Sequence, residues 1–451
     1  MSTRARPPRL PPPTAPTLPP VARHALANGL DLFIVPRHEL PVVDVRLVLR
    51  GGATTDEPPH AGRSWMLGQL LDQGTASRAA TDIADQAEHL GATLETRTTW
   101  DAVTASLHVL SPRFEPALDL LADVVLDPTF PDDELERKRH ERLAAILQEN
   151  DEPRSLATHA FYRYAYPPDH PFAVPLAGTR SSIEALDRRD ICRIHTERFS
   201  PAGAFLVIVG DVDPDRALPA VERLFGDWTR SRAAPPAVPG RVPDRPTRVH
   251  IVDRPGAPQS ELRVGRPGPR RDSEDYFPLL VGNTVLGGAF TSRLNMRLRE
   301  EKAYTYGAGS SFAFRAAGGP FLASTAVATA ATADAVHVTV GEIGRLVEEP
   351  VEAGELERAV SYIVLGLPRT FETTGDIAEH VTEVALYGLG PDYYDRYVDE
   401  VRSVTAADVQ VAMSRWLSVD GLTIAIAGDG DAVREELEAL TMGVVHVCED
   451  D

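Results

Sequence analysis

Two cysteines in 451 residues, Cys192 and Cys448, exclude a disulfide framework and a cysteine-built zinc site. No run approaches the roughly 18 uninterrupted apolar residues that a membrane helix needs. The Arg/Pro-rich opening carries no apolar signal core, so the expected location is cytoplasmic, with no membrane partner. Positive charge is also scarce: 46 Lys and Arg stand against 66 Asp and Glu, for a formal net charge of −20. Such a surface field repels nucleic acid. What is present is ordinary for a soluble globular protein, with 43% hydrophobic and 25% charged residues, which excludes disorder of the whole chain. Single cores stop growing at about 250–300 residues, so the length implies two or three domains.

The low-complexity stretch 1–22 reads as a disordered tail, with eight prolines in its first 20 residues. Asn28-Gly29 between apolar segments signals a hairpin over His24 to Val35, and Val42 to Leu49 alternates as a strand. Helical periodicity covers Gly62 to Leu71, Ala79 to Leu90 and Pro116 to Leu126, with strands over Thr93 to Leu110. A charged helix runs from Asp132 to Asn150, and another from Ile183 to Phe199 leads into the strand Ala204–Val209. Residues 229–249, with five prolines among charges, break every periodicity and read as a linker between domains 23–228 and 250–451.

The two halves repeat one pattern. Ile183, Leu186 and Asp190 precede a strand closing on Gly210-Asp211; Val401, Val404 and Asp408 precede one closing on Gly428-Asp429. Every pair is separated by 218 positions, a shared offset that points to duplication. The expected fold is α+β: two tandem homologous domains, each a mainly antiparallel sheet with helices packed on one face.

A series of segments in fixed order carries a resemblance: Leu26-Ala27-Asn28-Gly29-Leu30, Gly62 to Gly74-Thr75, Tyr166-Pro167, His170-Pro171-Phe172 and Gly210-Asp211-Val212-Asp213. Leu286-Gly287-Gly288, Ser292-Arg293-Leu294, Leu298-Arg299-Glu300 and Tyr306 follow in the second half. Together they span 281 residues, from Leu26 to Tyr306, and the chain resembles the pitrilysin/insulinase zinc metallopeptidases, particularly the mitochondrial-processing-peptidase-like members. Active members carry an inverted H-x-x-E-H, with two imidazoles one helical turn apart for the metal and a Glu that deprotonates its water. The resemblance places Trp65, Gly68 and Gln69 at those positions, and Ala145 or Ile146 where the third ligand, a Glu, belongs. An indole donor, a hydrogen and an amide cannot do this chemistry. Glu141 and Glu149 flank Ala145 by four residues, but one carboxylate without the histidines would not hold zinc. His140-Glu141 begins like a forward H-E-x-x-H and fails at Ala144. Glu379, His380 and Glu383 read as a solvated helix face, and His170 as part of a turn. No metal and no other cofactor is therefore expected in this chain.

The family also uses an Arg and a Tyr seven residues later to bind substrate opposite the metal, and Arg299 and Tyr306 match that spacing. Arg299 supplies fixed donors for a peptide carbonyl and Tyr306 a hydroxyl for a developing oxyanion. Tyr304, two residues earlier, competes with Tyr306, since both would face the same side of a strand. Gly287 and Gly288 permit a tight turn or a close backbone approach to a partner or peptide. The resemblance thus implies a non-metal, substrate-binding subunit of a heterodimeric peptidase, with peptide as substrate and zinc in a homologous H-x-x-E-H partner subunit. The alternatives are a non-catalytic scaffold or a peptide-binding maturation partner of the same fold.

Overall fold

The first half forms a sheet of strands β1 (Ala22–Ala25), β2 (Asp31–Pro36), β3 (Val42–Arg50), β4 (Thr93–Thr98), β5 (Ala102–Leu110) and β6 (Ala204–Gly210), in the order β1-β2-β6-β3-β5-β4. Only β2 and β6 pair in parallel. The β1–β2 hairpin turns at Gly29, whose φ of 90° suits glycine. Beside it, the Asn28 amide donates to the Phe225 and Trp228 carbonyls at 2.6 and 3.0 Å, tying the turn to the far end of the half.

The second half repeats this with β7 (Arg248–Asp253), β8 (Gln259–Pro267), β9 (Ala308–Phe312), β10 (Pro320–Ala328), β11 (Thr423–Gly428) and β12 (Val444–Cys448), ordered β12-β7-β11-β8-β10-β9. The offset of 218 residues extends beyond the sequence signal. It relates helix Arg188–Arg198 to Ala406–Trp416, β5 to β10, and the start of helix Phe114–Leu126 to that of Thr332–Glu348. The edge strand breaks the repeat: β1 runs antiparallel to β2, whereas β12 runs parallel to β7. Cys448 lies in β12, and both cysteines are free thiols.

The structure, a computed structural model, describes residues 19–229 and 242–448. Most of the expected tail and linker, residues 1–18 and 230–241, lies outside the described residues. β1 begins one residue inside the expected tail and β7 two residues inside the expected linker, because each finds a neighbouring strand to pair with. The helix expected over Ile183 to Phe199 is two helices, Arg180–Ala185 and Arg188–Arg198, separated where the Asp187 carboxylate accepts from the Asp190 amide and caps the second. Among the described residues no helix is long and apolar enough to cross a membrane.

Each sheet carries its own half's helices on one face. In the first half Leu32, Ile34, Val45, Leu47, Leu206 and Ile208 share a core with helices Phe114–Leu126 and Pro214–Phe225. The opposite face is closed by the other half. Helix Thr374–Tyr387 lies across β3 and β6, over Val48, Phe205 and Val207, and helix Pro153–Ala165 lies across β8 and β11, placing Ala157 and Phe161 against Ala425 and Ala427. This exchange explains why every residue of β6 is buried and why its sequence is a continuous apolar run without alternation.

Candidate functional site

Helix Arg63–Leu70 packs against β4 and the long helix Asp132–Asp151, so Trp65, Gly68, Gln69 and Ala145 come from the two helices that the resemblance requires. Gly68 is buried, and a Cβ built there would meet the Thr98 Oγ1 at 2.5 Å. That hydroxyl donates to the Ser64 carbonyl at 3.0 Å, and Thr96 Oγ1 donates to the Gly68 carbonyl at 2.6 Å. β4 thus grips the helix backbone where only hydrogen fits. Gln69 points toward a small cleft shared with Glu95 and Lys138.

A cation already sits beside these positions. The Arg142 guanidinium lies 5.7 Å from the Trp65 ring centroid, a cation–π contact. It is 4% exposed and donates to both Glu149 carboxylate oxygens, at 2.5 and 3.0 Å, and to the Ala177 carbonyl at 3.0 Å. Glu149 is therefore spoken for, while Glu141 makes exposed pairs with Arg137 and Lys138. Among the described residues no three His, Cys, Asp or Glu side chains converge as a metal site requires. The donor set does not fit zinc: its place holds an indole, a glycine and an amide, with a guanidinium packed over the indole.

Arg299 and Tyr306 do come together. Arg299 occupies the π-helical turn Met296–Glu301, anchored by fully buried Leu298. The turn ends at Ala303, whose φ of 54° is left-handed, with the Ala303 amide donating to the Arg299 carbonyl and the Tyr304 amide to that of Leu298. The residues that follow form a loop up to β9, so the expectation that Tyr304 and Tyr306 share one strand face is wrong. The loop separates them. Tyr304 packs at the edge of the core, and its hydroxyl donates to Asp334, which also pairs with Lys302 Nζ at 2.6 Å. Tyr306 is 97% exposed. Arg299 stacks over the Phe290 ring at 4.6 Å, with Glu300 at 3.5 Å as its ion partner. Arg299 and Tyr306 both line an open cavity of about 560 Å³ whose floor is formed by β8 and β10.

Two further readings are corrected, and a third, His170 in a turn, is met. Gly287 does make a close approach, but to its own chain: a Cβ there would meet the Ser310 amide nitrogen of β9 at 2.3 Å. The Glu379–His380–Glu383 face is solvated only in part: Glu379 stays exposed and reaches the other half, while His380 and Glu383 turn to partners in their own half. Glu379 pairs with Arg46 of β3, Glu383 with buried Arg271 at 2.8 Å, and His380 contacts the Tyr394 hydroxyl at 2.5 Å. His170 is 1% exposed, and its Nδ1 accepts from the Phe172 amide at 3.1 Å; burial depresses its pKa to about 4.

Sequence reasoning missed the first half's contribution to the cavity. Arg154, at the start of helix Pro153–Ala165, lines it opposite Arg299. Nothing local announces this, because the contact depends on the helix exchange. A larger cavity of about 1490 Å³ lies between the halves. It is lined by none of Trp65, Gly68, Gln69, Arg299 and Tyr306, and its Arg266 and Arg415 are held by Asp244 and Asp275.

The chain is thus built of two tandem six-stranded α+β domains, and the position where the resemblance expects a metal carries no ligand chemistry. Residues 34–179 match the family described as insulinase (peptidase family M16), and residues 185–363 match the peptidase M16 inactive domain. The chain belongs to peptidase family M16. It is similar to an uncharacterized zinc protease of Mycobacterium leprae, 30% identical over 292 residues, 63% of this chain and 64% of that protein, so just under two thirds of that relative's length is spanned. An uncharacterized zinc protease of Rickettsia bellii is 24% identical over 407 residues, 89% of this chain and 96% of that protein. Among solved structures, a peptidase M16 inactive domain from Pseudomonas fluorescens superposes with a TM-score of 0.85 at 25% identity, covering 91% of this chain and 98% of that one. A protease from Helicobacter pylori shares the fold, with a TM-score of 0.83 at 18% identity over 91% of this chain and 100% of that one.

Proposed function

We propose that this chain is the substrate-binding, non-metal subunit of a heterodimeric peptidase, completing in trans the active site of a homologous subunit with an intact H-x-x-E-H. The reading rests on one juxtaposition: Arg299 and a fully solvent-facing Tyr306 line a single open cavity, while the positions that would ligate zinc carry no ligand chemistry. With Tyr306 97% exposed, both its ring and its hydroxyl are open to an incoming peptide. Arg299 presents fixed N–H donors, oriented by Phe290, to a peptide carbonyl; Tyr306 donates its hydroxyl to the same oxygen as negative charge develops. The attacking water belongs to the zinc of the partner subunit.

The test is reconstitution. The purified chain, mixed with a homologous H-x-x-E-H subunit from the same cell, should hydrolyse a quenched fluorescent peptide that neither subunit cleaves alone. Arg299→Ala and Tyr306→Phe should each lower kcat/KM by about 10²-fold or more, the scale of one lost oxyanion donor. Undiminished turnover with both variants would leave a scaffold in place of a binding subunit.

A further inference from the structure

The cavity beside Arg299 is richer in positive charge than a general peptide-backbone site needs. Three guanidinium groups line it, those of Arg154, Arg263 and Arg299, against the single carboxylate of Glu261. Glu300, outside the lining, is the ion partner of Arg299, so one positive charge, that of Arg154, is left over, in a chain whose net charge is −20.

The three arginines are not equivalent. Arg263 is 3% exposed and fully engaged: it donates to Glu261 at 2.9 Å, to the Leu262 carbonyl at 2.8 Å, to Thr158 Oγ1 at 3.1 Å and to the Arg154 carbonyl at 3.3 Å. It is a structural tie between β8 and helix Pro153–Ala165, and it consumes the only lining carboxylate. Arg154 is exposed, and among the described residues its guanidinium has no ion partner and no side-chain hydrogen bond. It lies close enough to Arg263 that, after burial, their repulsion is a further cause lowering the Arg263 pKa against the pull of Glu261. Arg299 has half its face on Phe290 and a 3.5 Å contact with Glu300, which does not line the cavity. A guanidinium left without a counter-charge beside others of like charge is relieved by an incoming anion. Guanidinium forks match a carboxylate in shape as well as charge.

We infer that the cavity formed by Arg154, Arg299 and Tyr306 binds a carboxylate of the peptide, carried either by an acidic side chain or by the C-terminus. The inference rests on the peptide-binding reading above and adds to it a substrate class: anionic peptides, selected by an arginine that the first half lends to the second half's site. Arg154 acts here as a specificity residue, and the backbone-binding role stays with Arg299 and Tyr306.

Fluorescence anisotropy on the full chain tests it, with dye-labelled decapeptides that differ only in one central Glu, Gln or Lys, each made with a free or an amidated C-terminus. If a side chain is the source, the amidated Glu peptide should bind about five- to tenfold more tightly than its Gln counterpart, the yield of one charge-assisted contact. If the terminus is the source, the free-acid Gln peptide should gain the same factor over its amide. Either advantage should shrink as salt is raised from 50 to about 300 mM. Arg154→Gln, a change at an exposed position, should abolish it. Binding that ignores both charges, or a preference that survives Arg154→Gln, overturns the carboxylate site but leaves the peptide-binding reading standing. No binding by any of the peptides overturns both.

Discussion

Replacing Gly68 with alanine is the most direct probe of how the degenerate metal position is built. In an exposed helix interior the change stabilises by about 1 kcal/mol, because glycine has more backbone freedom to lose on folding. Here the new Cβ would lie 2.5 Å from Thr98 Oγ1, a residue only 9% exposed. Relief requires the hydroxyl to rotate away from the Ser64 carbonyl, forfeiting a hydrogen bond worth about 1 kcal/mol, or the helix to move off β4 at about 1–3 kcal/mol. Set against the intrinsic gain of about 1 kcal/mol, the expected net effect lies between neutral and a destabilisation of about 2 kcal/mol. The remaining neighbours of that Cβ, Thr98 Cβ and the Thr98 amide nitrogen, are at 3.7 and 3.8 Å, ordinary contacts. In a Thr98→Ala background the obstruction is gone and Gly68→Ala should become neutral or stabilising, giving a coupling of about 2 kcal/mol. Urea unfolding followed by tryptophan fluorescence measures the cycle, since three of the four tryptophans, Trp65, Trp100 and Trp228, lie in the first half. A stabilised single variant, or additivity across the cycle, would refute the claim that β4 grips the helix at Gly68. The same geometry predicts that restoring His, Glu and His at positions 65, 68 and 69 will not by itself create a zinc site, as titration of the refolded variant with zinc would show.

Three further outcomes follow from the same contacts. Glu149→Gln should cost about 2–3 kcal/mol in urea unfolding, because it strips the bidentate partner from the nearly buried Arg142 guanidinium. A smaller loss for Glu141→Gln, whose pairs are exposed, serves as the control. Arg315 inserts from the second half among Trp100, Tyr162 and Phe172 of the first, 4.6–5.7 Å from their ring centroids. Arg315→Ala should therefore red-shift the Trp100 emission and lower stability by about 2 kcal/mol. His170 and His250 are held near pKa 4 by burial, so the folded state resists protons that the unfolded chain accepts below about pH 6.5. Stability should be at full value above that pH and fall as pH drops toward 4, by roughly 3 kcal/mol per histidine. His170→Asn, whose side-chain oxygen can still accept from the Phe172 amide, should flatten the fall in a series of melts from pH 7 to pH 4.

Much of this protein was legible before any coordinates. Composition ruled out thiol and membrane-helix architectures. Hairpin and helix signals are local properties of a few residues, and they placed β1–β2, β3, β6 and most first-half helices within a few residues. The 218-residue offset revealed the repeat because duplicated turns and caps keep their spacing. That Trp65, Gly68, Gln69 and Ala145 cannot ligate zinc is a fact of side-chain chemistry and needed no fold. Errors arose where long-range packing overrides local pattern. The face bearing His380 and Glu383 reads as solvated until Arg271 and Tyr394, distant in the same half's sequence, are brought against it, and Tyr304 and Tyr306 are indistinguishable until one finds Asp334 and the other finds water. Sequence alone therefore determined most first-half elements, the duplication and the missing metal chemistry. Only the tertiary structure decided that Arg142 stands over Trp65, that β4 holds Gly68, and that Arg154 reaches Arg299's cavity, because each joins residues whose separation along the chain carries no record of their distance in space.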